Sequence, residues 1–385
     1  MKETVYFIMT QNKKLAEINT ETGDAIVYAK LPIGLSLVEH PATIASSVKN
    51  ITAFQDWCSG RVLMMSQKHA KKMCNALALS QDMNTANKAN IAISYHCSTL
   101  NDCYWVKTYD EDVCYEDVSL FRNTSTNILT PVSLRGEASS IFRHKLENWS
   151  DIGVDGTLAK SWIREDGVYY LYKENNNAAG EELASTILDM LGVDHVSYTK
   201  VKDSGLEMTK CKCFTSEDVG FIPYRTLVKE MGENALDYVK NTFMEDFANL
   251  AVCSYLIGNE NLHDKNWGLL INSDGNITGM APMFDFDGCF VTYKASASLL
   301  FLPDCRYITE DGKNTNLFEF DIDDFYTVKG PTLKEAAMKY SKYSSIDLSS
   351  IDYSLIPDKF RDEFQIRVSE IIAQKVEQTE EDIEK

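Results

Sequence analysis

The sequence predicts an α+β fold: a small sheet-forming opening, a β-rich segment interrupted by one helix, and a mainly helical remainder. Three observations predict it. Between Trp149 and Phe214 short β-like runs alternate with turns, one amphipathic stretch (AGEELASTILDMLGV) stands among them, and after Glu217 the apolar spacing becomes predominantly helical.

At 385 residues the chain exceeds what one small core organises, so two or three packed units are expected. No repeat, linker or low-complexity block marks their edges. Changes of pattern give residues 1–148 as an accessory subdomain, 149–214 as a β-rich lobe and 215–385 as a helical lobe.

Within the opening part, ETVYFIM and DAIVYAKL read as strands divided by a polar turn at Thr20 to Asp24. From Phe54 to Asn90 the spacing is helical, most clearly in SQKHAKKMCNALAL, and IAISYHCSTLNDCYWVK then reads as β-like. This front third carries no recognisable set of catalytic side chains, so it reads as a packing or partner-docking domain. DIGVDGTLAKSWI, VYYLYKE, the inserted helix, the run from His195 to Val201 and LEMTKCKCF follow. YRTLVKEM, ENALDYVKNTFMEDFANLAVCSYLIG and KFRDEFQIRVSEIIAQKVEQ are the long helical stretches of the remainder.

Lys and Arg total 38 against 57 Asp and Glu, a formal charge of −19, which opposes simple electrostatic binding to a phosphate backbone. No nucleic-acid surface is expected. The start KETVYFIM lacks the features of a signal peptide and no apolar run is long enough to span a bilayer, so a cytoplasmic protein with no membrane contact is expected. The ten cysteines lie scattered in apolar surroundings and read as buried thiols. Cys211 and Cys213 form a C-x-C pair without a second pair or nearby histidine, too little for a zinc site.

Three segments carry groups suited to chemistry. The turn Gly153-Val154-Asp155-Gly156-Thr157 precedes the strand that follows Lys160, and its glycines let backbone amides approach an anion, although a plain hairpin has the same composition. Lys173 ends the strand VYYLYK, where it could reach phosphates if a carboxylate of the next helix, Glu181 or Glu182, held it; an ordinary strand-end lysine is the simpler reading. The third is more specific. Asn261-Leu-His263-Asp264-Lys265-Asn266 stands between an apolar helix and an apolar strand, and after a turn at Ser273 to Asn276 comes Asp285-Phe-Asp287-Gly288. Phosphoryl transfer needs this supply: a group to orient the attacking hydroxyl, an amide oxygen and a carboxylate for metal.

In order and spacing these segments resemble the HipA family of bacterial serine/threonine kinases. The family's V-x-G-x-x-x-K turn is matched by Val154, Gly156 and Lys160, its ATP lysine by Lys173, and its helix glutamate by Glu181. The D-x-H-x-x-N catalytic loop lies over Asn261, His263 and Asn266, and the metal-binding aspartate over Asp285. The resemblance covers Trp149 to Gly288 well and the C-terminal helices by pattern only. It implies a two-lobed protein-kinase-like fold and use of ATP and Mg²⁺. Backbone contacts to adenine would come from the connector at Cys211 and Cys213. A protein substrate, and an antitoxin partner of a toxin–antitoxin pair, are implied in the same way.

The departure is Asn261, where the family has aspartate. A neutral amide cannot act as the base, and Asp264, only two residues before Asn266, would project differently. A natural pseudokinase, an inactivating substitution and a different nucleotide chemistry, such as AMP transfer, all remain open, as does a nucleotide-binding interaction module without catalysis. The family's regulatory serine position is Gly153 here, which leaves Ser150 or Thr157 for any such role.

Overall fold

Two short runs with buried apolar residues pair as the first two strands of this computed structural model, which describes residues 4–122, 129–137, 153, 156–203, 205–309, 314–315 and 326–383. β1 (Val5–Thr10) and β2 (Lys13–Asn19) run antiparallel with a bulge at Ile8/Met9, and β3 (Ala25–Val27) and β4 (Tyr104–Thr108) complete a sheet of order β3-β2-β1-β4. Against it pack α1 (Ile44–Ser59), α2 (Ala70–Ala76) and α3 (Thr85–Ser94), with Ile8, Ile18, Phe54, Met73, Ala92 and Val106 in one buried cluster.

The helical reading of this region started too late and stopped too early. Thr43 caps α1 by accepting the Ser46 amide, so the helix begins ten residues before Phe54. The IAIS alternation is the last turn of α3, capped by Asn84 and buried at Ala89, Ile91 and Ala92; only the end of that run, from Tyr104, is strand.

The chain folds into two compact units. The first comprises Met1–Asn175, Val201–Ile222 and Leu270–Thr278. Besides the opening sheet it holds α4 (Tyr115–Val118), α5 (Thr130–Arg135) and a second four-stranded sheet. That sheet has the order β5-β6-β8-β7, from β5 (Lys160–Glu165), β6 (Val168–Glu174), β7 (Tyr198–Asp203) and β8 (Leu206–Lys212). β9 (Val219–Pro223), β10 (Gly268–Asn272) and β11 (Ile277–Met280) form a further sheet, and the β10–β11 turn falls at the anticipated Ser273 to Asn276.

The second unit comprises Asn176–Lys200, Pro223–Leu269 and Gly279–Lys385. It contains α6 (Ala178–Met190), α7 (Tyr224–Met231), α8 (Asn234–Thr242), α9 (Met244–Ile257), α10 (Leu333–Tyr340) and α11 (Asp358–Ile383). A small sheet of β12 (Arg306–Thr309), β13 (Asn314–Thr315) and β14 (Tyr326–Lys329) lies between α9 and α10 in the chain. The long run ENALDYVKNTFMEDFANLAVCSYLIG is therefore two helices, broken where Phe243 leaves helical geometry (φ −131°, ψ 45°). From Phe247 onward α9 is buried on nearly every side, as a central helix must be. Arg367 of α11, wholly buried, donates to the carbonyls of Tyr255 and Tyr293 and to Ser296 Oγ.

All ten cysteines are free thiols and most are buried. Among the described residues no helix is long and apolar enough to cross a membrane.

Candidate functional site

α9 ends at Gly258, whose left-handed backbone (φ 65°) turns the chain into the polar loop. A Cβ there would lie 2.7 Å from Ser296 Oγ, so a side chain is excluded twice over. Leu262 and Trp267 are buried at either end of the loop, and Trp267 stacks on Tyr224 at 4.2 Å. Local hydrogen bonds fix the stretch between them. Asn259 Oδ1 accepts the Asn261 amide, His263 N–H donates to Asn261 O, and Asn266 N–H donates to His263 O.

Asn266 Nδ2 donates to Asn261 O at 3.0 Å and to Asp285 Oδ2 at 2.8 Å. Four of the anticipated site residues, Asn261, His263, Asn266 and Asp285, thus meet in the second unit. Asp285 has φ 63°, a left-handed backbone that costs a non-glycine residue about 1 kcal/mol. Two side chains hold that shape. Tyr198 OH accepts the Asp285 amide at 3.0 Å, and Glu181 Oε1 accepts the next amide, of Phe286, at 3.1 Å. Glu181, in the first turn of α6, is wholly buried, and Phe286 packs edge-on against Tyr198.

His263 Nδ1 accepts the Lys265 amide at 3.2 Å, which leaves the ring proton of the neutral form on Nε2. Burial lowers the His263 pKa below its ordinary value, against the opposing pull of Asp264 and Asp285. Asp264 is spoken for: its two oxygens take Arg225 at 2.7 and 2.9 Å, and its carbonyl accepts the Arg225 amide. Both oxygens of this carboxylate are thereby held on Arg225.

Asp287, seen in the sequence only as the second acid of D-x-D-G, accepts a hydrogen bond from Asn261 Nδ2 at 3.2 Å. Its carbonyl takes Asn177 Nδ2 at 3.0 Å. Gly288 makes this approach possible, since a Cβ there would come within 2.9 Å of Asn261 Cβ. Neither Arg225 nor Asn177 carried any sequence signal.

In the first unit, Lys173 is the penultimate residue of β6, 3% exposed and opposite Lys160 of β5. Gly156 has φ 108°, and a Cβ there would collide with Lys160 Nζ, so only glycine leaves room for that amine. Gly153 rests against Thr99 and the Arg61 carbonyl, and the Thr157 carbonyl accepts the Lys68 amide. Val154 and Asp155, with Ser150, lie outside the described residues. Cys211 is buried in β8, and Cys213 N–H donates to Tyr169 O at 2.9 Å.

No protein-family model and no curated protein matches the chain. The solved structures to which it is similar include a kinase and a component of a toxin–antitoxin system. The first is the Helicobacter pylori proinflammatory kinase CtkA, at 16% identity over 56% of this chain and 90% of that one, with a TM-score of 0.36. The second is the Shewanella oneidensis MR-1 HipA, solved with HipB and operator DNA, at 11% identity over 73% of this chain and 75% of that one, with a TM-score of 0.47.

Proposed function

We propose that the chain is an ATP- and Mg²⁺-dependent protein kinase of the HipA type whose phosphoryl transfer is impaired at Asn261. One observation carries the reading: the Asn266 amide and the Asp285 carboxylate lie 2.8 Å apart, beside Asn261 and His263. An amide oxygen and a carboxylate suit a hard cation that binds through one or two protein oxygens and keeps water and phosphate ligands. Asn266 and Asp285 would hold Mg²⁺, which when bound draws the phosphate oxygens together and offsets their charge.

The remaining roles belong to the chain's own side chains. The glycine turn from Gly153 to Thr157 offers amides to the phosphates, and Lys173 supplies a fixed cation. Glu181 and Tyr198 hold the Asp285–Phe286 peptide and so the direction of the Asp285 carboxylate. Neutral His263 offers an Nε2 donor. Position 261 orients the acceptor hydroxyl of a serine or threonine on a protein substrate; as an amide it can orient but cannot accept the proton. An antitoxin partner belongs to this reading through the HipA resemblance.

The Asn261–Asp287 hydrogen bond also favours a second reading, a nucleotide-binding interaction module without catalysis, because aspartate at 261 could not make that contact with an ionised Asp287. Both readings require nucleotide binding. Saturating Mg·ATP should raise the melting temperature, since a ligand of the native state stabilises it. An unmoved melting temperature with Mg·ATP, and none with Mg²⁺ alone, removes the assignment.

A further inference from the structure

Lys68, in the connection between α1 and α2, forms bonds from both its backbone and its side chain. Its amide donates to Thr157 O at 2.7 Å, and its Nζ lies 2.8 and 2.6 Å from the two carboxylate oxygens of Glu174. Thr157 closes the glycine turn; Glu174 is the last residue of β6, directly after Lys173. One residue from the opening third of the chain therefore ties together the turn and the strand end that are read as holding phosphates.

Gly153 also lies against the opening third of the chain. A Cβ there would meet Thr99 Cγ2 at 3.3 Å and Arg61 O at 3.4 Å, and Arg61 is itself fixed by Asp102 at 2.9 and 2.7 Å and stacked over Trp57. The segment around Lys68 keeps its shape at an energetic cost. Gln67 is 3% exposed with neither amide atom hydrogen-bonded, and His69 has φ 70°.

We infer that Lys68 is a positioning residue for the nucleotide phosphates, its two bonds setting the spacing between Thr157 and the end of β6. The inference rests on the nucleotide-binding reading above. It gives the opening third of the chain a part in the site, beyond packing or docking.

The test is calorimetric affinity of the full chain for Mg·ATP and for adenosine, with nucleotide-free melting temperatures, in the parent, Lys68→Ala, Lys68→Arg, Glu174→Ala and the Lys68→Ala/Glu174→Ala pair. Lys68→Ala should weaken Mg·ATP about fivefold, the upper range for one partly exposed ion pair, and leave adenosine within about twofold. Lys68→Arg should restore ATP affinity, and the double variant should lose no more than either single one. ATP affinity unchanged in Lys68→Ala, equal losses for ATP and adenosine, additive losses, or a loss matched by a fallen nucleotide-free melting temperature would each overturn the positioning role. A parent that binds neither ligand defeats the nucleotide reading itself, and the inference with it.

Discussion

Asn261 donates its side-chain amide to Asp287 across 3.2 Å, so the residue proposed to orient the acceptor hydroxyl is paired with a carboxylate that an aspartate there would repel. Asn261→Asp would set two acids side by side, and like charges at that range raise a carboxyl pKa. The introduced acid would then have a folded pKa above its unfolded value of about 3.9, so its destabilisation is complete at neutral pH, fades as pH falls through the folded pKa and is gone below the unfolded one. In the absence of Mg²⁺ the variant should be less stable than the parent by about 1 to 2 kcal/mol at pH 7. Melts of both proteins from pH 4 to 8 check this; a difference that does not change with pH contradicts it.

The two acids of D-x-D-G should not be equivalent. Asp285 meets the Asn266 amide and is held by Tyr198, whereas Asp287 meets Asn261. Asp285→Ala should weaken Mg²⁺-dependent ATP binding about tenfold more than Asp287→Ala, measured by titration calorimetry. Equal losses would make Asp287 a metal ligand too.

Asp264 is a brace for the loop. Breaking its paired contact with Arg225 should cost about 2 kcal/mol, below the figure for a fully buried pair because the Arg225 side chain is 34% exposed. Asp264→Asn and Arg225→Gln should each lower stability, and the double variant little further, in denaturant melts.

A further acid, Asp304, anchors the helical part. Asp304 takes Lys240, Lys339 and Tyr340, and although burial alone would raise its pKa, these three hydrogen bonds hold it below the usual carboxylate value. Its folded pKa is thus depressed, so the stability it contributes is present above the unfolded value near about 3.9 and is lost as pH falls through the lower folded one. Asp304→Asn should cost about 3 kcal/mol at pH 7 and progressively less in acid, as denaturant melts across that range would show.

What could be read in advance was local. The loop from Asn261 to Asn266, the acid at 285, the strand ending near Lys173 and the α6 helix all lie in short segments where residue types and spacing alone set the expectation. The contacts that finish the site are long-range. Asn261 meets Asp287 through a turn that only Gly288 permits, Glu181 reaches a peptide over a hundred residues away, and Lys68 lies in a stretch that reads as ordinary helix. Periodicity also failed where a short apolar run fits two patterns, as in IAIS of α3, and where Phe243 breaks a continuous helical spacing.

The central claim, that position 261 limits phosphoryl transfer by a chain that binds Mg·ATP, is tested most directly by incubating the parent, Asn261→Asp and Asn261→Asp/Lys173→Ala with γ-labelled ATP and Mg²⁺, with and without lysate, and following label and intact mass. Positioning and charge supply most of the catalysis in such sites, so Asn261→Asp should leave ATP affinity nearly unchanged, gain phosphate or phosphorylate substrate orders of magnitude faster than the parent, and lose that gain with Lys173→Ala. No phosphate on any protein in any of these mixtures, or a parent already as active as Asn261→Asp, would contradict it.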